Sequence, residues 1–135
     1  MSSAVVVLHW RGLVSANVDS ALLEYAAGSW GAEVAWINSS RERVLGNEFE
    51  SLEAVLEAYP DHELIALEPG LELELLQDID HPERAIYVIG ADDVGFTPPD
   101  GARRIAIDTA TGPTHPLYSW QALTAVLFDR MTKAG

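Results

Sequence analysis

Five consecutive apolar residues, Ala85-Ile86-Tyr87-Val88-Ile89, run straight into Gly90 and then into Ala91-Asp92-Asp93-Val94-Gly95. A strand that is apolar at every position, rather than at every second one, is covered on both faces, as in a parallel sheet packed between helices. The glycine that follows lets the backbone turn at once and come close to a ligand. In open α/β sheets, ligands bind at the carboxyl ends of the strands. The loop 90–95 therefore marks a candidate site before any other feature is considered.

The rest of the chain alternates between strand and helix patterns. Residues 4–9 form a short β-branched run that reads as the first strand. Residues 17–29 carry Val18, Ala21, Leu22, Tyr25 and Ala26 at helical spacing, with Ser15 or Asn17 placed to cap and Gly31 to close. A second strand is expected over 33–37. A helix over 49–59 sets Leu52, Val55, Leu56 and Tyr59 on one face and stops at Pro60. Residues 64–67 read as a third strand, 71–77 as an acidic helical turn, 85–89 as the fourth strand, 104–107 as a fifth and 120–131 as a closing helix. Such alternation predicts a mainly parallel sheet between helices. Without repeats, low-complexity stretches or a linker, residues 1–135 read as a single α/β domain with five or six strands.

Composition narrows the partners. A chain of 135 residues buries roughly two-thirds of its unfolded surface and needs no staples. Its 48% hydrophobic and 21% charged content fits a soluble domain. It has no cysteine, hence no disulfide and no thiolate metal site. The start, Met1-Ser2-Ser3-Ala4, lacks the basic region of a signal peptide, and no apolar run reaches the ~18 residues of a membrane span. A cytoplasmic protein without membrane contact is expected. Eight Lys and Arg face 21 Asp and Glu, a net charge of −13. Such a surface repels polyanions, so RNA is a partner the net charge disfavours. Arg103 with Arg104, and Arg41 with Arg43, are the local cationic clusters; taken singly, each arginine reads as solvated surface.

The usual catalytic signatures are missing. Histidines 9, 62, 81 and 115 are not at metal-ligand spacing, and His81-Pro82 reads as the turn before the fourth strand. The glycines at 90 and 95 make neither a P-loop nor a dinucleotide fingerprint. No G-x-S-x-G elbow occurs. Asp92 and Asp93 can ligate magnesium, cap a turn or act as a base; turn-capping is the commonest fate of Asp beside Gly.

The order Ala66-Leu67-Glu68, then His81-Pro82-Glu83-Arg84-Ala85-Ile86-Tyr87-Val88-Ile89-Gly90, then Pro116-Leu117-Tyr118 and a helix ending Leu127-Phe128-Asp129-Arg130 resembles the SpoU/TrmH-type methyltransferases of the SPOUT superfamily. The likeness is close over the C-terminal half and one of pattern alone before it. It implies a C-terminal trefoil knot whose loops hold S-adenosylmethionine, gripped mainly by backbone. Cofactor positions carried over are Leu67, Glu68, Ile89, Gly90, Gly95, Ile105, Ile107 and Leu117. The resemblance also implies a homodimer formed through the C-terminal helix and the loop 90–95, where Trp120, Leu123, Leu127 and Phe128 serve equally as core or as interface.

Departures from the family pattern bear on activity. Asn17 and Val18 match an N-x-G…R motif, but Asp19 replaces the glycine, and the arginine's place falls on Leu23 or Glu24. A neutral or acidic residue there cannot stabilise a developing alkoxide. Asp92 replaces a glutamate, and Pro116-Leu117-Tyr118 replaces a Ser-Leu-Asn triplet. Three readings follow. One is an RNA ribose 2′-O-methyltransferase in which Asp92 orients the nucleophile, Tyr118 replaces a lost polar group and Arg11 stands in for the missing cation. The second is a degenerate knotted domain that binds cofactor or protein without catalysis. The third is an unrelated flavodoxin-like domain binding a nucleotide at Gly90.

Overall fold

The computed structural model describes residues 3–10, 16–38, 46–89 and 98–134. Its elements are β1 (Ser3–Trp10), α1 (Ala16–Gly28), β2 (Glu33–Asn38), β3 (Asn47–Phe49), α2 (Leu52–Ala58), β4 (Glu63–Leu67), β5 (Glu74–Leu75), a 3-10 turn (Leu76–Asp78), β6 (Arg84–Ile89), β7 (Arg103–Ala106) and α3 (Ser119–Lys133). The strands form one sheet in the order β3-β2-β1-β6-β4-β7-β5, and each neighbouring pair is parallel. The described residues thus contain seven strands, not the five or six expected. The two extra ones are the edge strands β3 and β5.

Solid apolar runs became central strands because both faces are covered. Val5 and Val7 of β1 and Ile86 and Val88 of β6 point toward α2, where Val55 is buried and Leu52, Leu56 and Tyr59 pack. Val6, Leu8, Tyr87 and Ile89 point the other way, into a core shared with α1 and α3. Ser51 caps α2, its Oγ accepting from the Ala54 amide at 3.2 Å. That cap starts the helix at Leu52 rather than at Phe49, which instead belongs to β3 and pairs with Ile37. The expected acidic helical turn over 71–77 is likewise divided: Glu74–Leu75 pairs with β7, and the 3-10 turn begins only at Leu76. Gly31 closes α1 with φ +72, a left-handed value natural to glycine.

The buried face of α1 is not the stripe the spacing picked out. Ser20, Leu23, Ala26 and Ala27 face the sheet, whereas Leu22 and Tyr25 are exposed, Tyr25 at 81%. This helix carries apolar residues on more than one face, so its seating on the sheet chose the stripe. On α3, Ala122, Leu123, Val126 and Leu127 are buried, while Trp120, Phe128 and Met131 are exposed. No helix among the described residues is long and apolar enough to cross a membrane.

Candidate functional site

One register row crosses five strands: Trp36 of β2, Leu8 of β1, Ile89 of β6, Leu67 of β4 and Ile105 of β7. Three residues named from the sequence as cofactor-binding, Ile89, Leu67 and Ile105, thus lie side by side at the carboxyl edge. Their side chains are buried in the α1/α3 core. What they can offer a ligand is backbone, together with the aliphatic floor beneath it.

The following loops are tied to this edge. The Glu68 amide donates to the Ile105 carbonyl, and the Gly70 amide to the Pro113 carbonyl, both at 3.0 Å. The segment after β4 is thereby joined to the segment that leads into α3. Ile107 is half-buried against the core, and Leu117 is half-buried just ahead of the helix. Tyr118 precedes α3 with its side chain 60% exposed, and its amide donates to Gln121 Oε1 at 2.9 Å. The predicted residues Arg11, Gly90, Asp92 and Gly95 lie outside the described residues.

The charges nearby are already committed. Glu68 accepts from Arg104 Nε at 2.7 Å. Arg103 Nε donates to Glu74 at 2.8 Å, and its Nη1 reaches Glu63 at 3.4 Å. The hydrogen bond from Arg103 lowers the Glu74 carboxyl below its ordinary value, and Glu74 in turn holds the guanidinium charged. Arg103 and Arg104 therefore do not form an open cationic patch. Arg84 meets Asp61 at 3.5 Å, and Arg130 and Lys133 grip backbone carbonyls. Each of the five Lys and Arg among the described residues is engaged. The other three, Arg11, Arg41 and Arg43, follow β1 and β2 in the sequence.

At the position where the resemblance places a catalytic arginine, Leu23 packs against the core. Its neighbour Glu24 accepts from the Trp36 indole at 2.8 Å. Gly46, with φ +116, sits where an added Cβ would collide with the Glu24 carboxylate and crowd the indole. Glu24 is thus a partner for a buried donor, at the level of the register row described above.

Sequence reading missed one cluster entirely. His81, taken as a turn residue, places Nδ1 2.7 Å from the Tyr87 hydroxyl and Nε2 2.7 Å from Asp129 Oδ2. Arg130 Nη1 donates to the same hydroxyl at 3.0 Å and to the Pro82 carbonyl at 2.6 Å. Two of the stretches that carry the family resemblance, around His81 and around Asp129-Arg130, are therefore one hydrogen-bonded unit. Its signal in the sequence was the motif likeness alone, since His81 and Asp129 are 48 positions apart.

No protein-family model matches this sequence, and no curated protein does. Solved structures do. The TrmH/SpoU tRNA modifying enzyme of A. aeolicus superposes with a TM-score of 0.74 at 13% identity, over 98% of this chain and 76% of its own. The SpoU methyltransferase AviRb from Streptomyces viridochromogenes, in complex with AdoMet, gives a TM-score of 0.73 at 14% identity, over 99% of this chain and 59% of its own. A structure bearing on the 2-OH methylation of C/U34 on tRNA gives 0.69 at 17%, over 99% and 92%. With an all-parallel sheet and α1 and α3 on one face, this chain has the fold of the SpoU/TrmH-type methyltransferases of the SPOUT superfamily.

Proposed function

We propose that this domain binds S-adenosylmethionine at the carboxyl edge of β6, β4 and β7 and methylates a ribose 2′-hydroxyl of RNA. The observation that carries this reading is the alignment of Ile89, Leu67 and Ile105 across three neighbouring strands. The donor set suits the cofactor: strand-end backbone groups can meet its polar edges, and the half-buried Ile107 and Leu117 offer aliphatic surface to adenosine. When bound, the cofactor supplies an electrophilic methyl on a sulfonium. The chain's part is to hold the two substrates in line, the largest contribution open to a site with few charged groups. Leu67, Glu68, Ile89, Gly90, Gly95, Ile105, Ile107 and Leu117 are the cofactor-binding positions of this reading. Tyr118 and Asp92 orient the nucleophile, and Arg11 supplies positive charge. The segment leading into α3 threads beneath the loop 90–95 as a trefoil knot.

The active form is a homodimer. Leu22 and Tyr25 of α1 and Trp120, Phe128 and Met131 of α3 are exposed on two helices that pack together. Exposed large apolar side chains on neighbouring helices suit an association surface. RNA binding falls to Arg11, Arg41 and Arg43, because the five described cations are engaged elsewhere.

A second reading, a knotted module that keeps the cofactor but not the transfer, is favoured by one observation. The place of the family's cation is filled by Leu23 in the core and by Glu24 tied to Trp36.

Titration calorimetry with S-adenosylmethionine, combined with transfer of a tritiated methyl to RNA, separates the two. Binding with transfer supports the enzyme, and binding without transfer supports the module. Gly90→Val, which sets a β-branched side chain where the adenosine passes, abolishes binding in either case. Unchanged affinity in that variant would place the pocket elsewhere.

A further inference from the structure

We propose that His81 is a pH-sensitive latch on the C-terminal helix: as the neutral imidazole it fastens α3 to β6 through Asp129 and Tyr87, and on protonation it releases the last turns of α3.

The hydrogen-bond directions follow from which groups can only donate or only accept. A guanidinium has no acceptor, so the Tyr87 oxygen accepts from Arg130. The phenol proton is then free to point at His81 Nδ1, 2.7 Å away, which makes Nδ1 an acceptor. The imidazole proton therefore sits on Nε2 and is donated to Asp129, a carboxylate that also takes Lys133 at 2.9 Å. One continuous chain results, Arg130 to Tyr87 to His81 to Asp129, with Lys133 closing on the same oxygen. Every member is satisfied only while His81 carries a single proton.

A second proton, on Nδ1, breaks this chain at the phenol. It would turn Nδ1–H toward a phenol oxygen that already accepts from Arg130 and would leave the phenol proton without its partner. The charged groups facing the ring are Asp129, Arg130 and Lys133 on α3, with Tyr87 on β6 and, acting on the phenol, Glu63 on β4. An imidazolium would be a third cation set against the one carboxylate, Asp129. The side chain is almost wholly buried, 5% exposed, so water cannot compensate. Burial lowers the His81 pKa below the ordinary 6.5, with Asp129 opposing that shift.

The unfolded chain, or an undocked helix, therefore takes up the proton more readily than the latched state does. The stability contributed by the latch is present above about pH 6.5 and lost as pH falls toward the depressed folded value. The opening of α3 increases by up to about tenfold per pH unit in that window. This is opposite in sign to the whole-molecule trend. A chain with net charge −13 sheds self-repulsion on acidification and should tighten.

Hydrogen exchange of the α3 amides between pH 7.5 and 5, corrected for intrinsic rates and referenced to β1 and β6, tests this in the intact protein. Protection of the last turns of α3 falls with pH while that of the central strands holds or rises. His81→Gln, which keeps a donor and an acceptor but cannot titrate, removes the pH dependence. Tyr87→Phe removes the donor that favours the neutral ring and shrinks the loss of α3 protection between pH 7.5 and 5. Should either variant fail to fold, ¹⁵N spectra of the wild-type imidazole decide: an Nε2–H tautomer at pH 7.5 supports the latch. An Nδ1–H tautomer, an imidazolium at that pH, or α3 protection that does not change between pH 7.5 and 5 would overturn it.

Discussion

The two ends of α3 are held in opposite ways. At the carboxyl end, Arg130 donates to the carbonyls of Pro82, Glu83 and Ser3, and Lys133 to those of Leu76, Gln77 and Ile79. Two cations thus satisfy six backbone acceptors drawn from the starts of β1 and β6 and from the turn after β5. At the amino end, Tyr118 is exposed and Leu117 half-buried, beside a loop contact through Gly70 and Pro113. The anchored end lies where parallel strands begin, and the open end belongs with the carboxyl edge, where α/β proteins place ligands. The sequence resemblance is therefore divided between the two: His81 and Asp129-Arg130 belong to the anchor, whereas Leu67 and Ile89 lie at the carboxyl edge.

Three substitutions sharpen or break this contrast. Arg130→Ala has the largest effect, because it strips donors from the Pro82 and Glu83 carbonyls and from Tyr87. We expect a loss of about 2–4 kcal/mol in urea unfolding, and a loss below about 1 kcal/mol would mean that the carboxyl end is not the tighter one. Trp36→Phe comes next. It keeps an aromatic ring but leaves the Glu24 carboxylate without the indole N–H, at about 1–2 kcal/mol in the same measurement. No change in stability would show that Glu24 is not held by Trp36 and is free for another role. Tyr118→Phe is the smallest in stability, within about 0.5 kcal/mol, since it removes only an exposed hydroxyl. With cofactor affinity unchanged, methyl transfer to RNA falls by about 10²-fold if that hydroxyl orients the nucleophile. Equal transfer rates would remove Tyr118 from the site.

What could be read from the linear chain depended on how local each signal was. The central strands were legible because residues 4–8, 64–67 and 85–89 are apolar without alternation, and only a doubly covered strand tolerates that. The face of α2 was legible because Leu52, Val55, Leu56 and Tyr59 make a single apolar stripe, whereas its start at Leu52 was set by the Ser51 cap. Edge strands β3 and β5 were not, since three and two residues carry no usable period and exist only through pairing with β2 and β7. The face of α1 was misjudged because apolar residues occur on more than one side of it. Packing against the sheet buried Ala27, half-buried Leu23 and left Leu22 and Tyr25 outside.

Local patterning, then, determined the class of fold and marked the edge of the sheet at which α/β proteins place ligands, because strand burial and glycine-terminated turns are properties of a few adjacent residues. Only the tertiary structure decided which residues stand together: Ile89 beside Leu67 and Ile105, Glu24 against Trp36, and His81 between Tyr87 and Asp129. The last of these joins groups 48 positions apart, and Arg130 reaches Ser3 across 127. Contacts of that range depend on strand order and helix seating, which arise from packing of the whole chain and leave no periodic trace in any part of it.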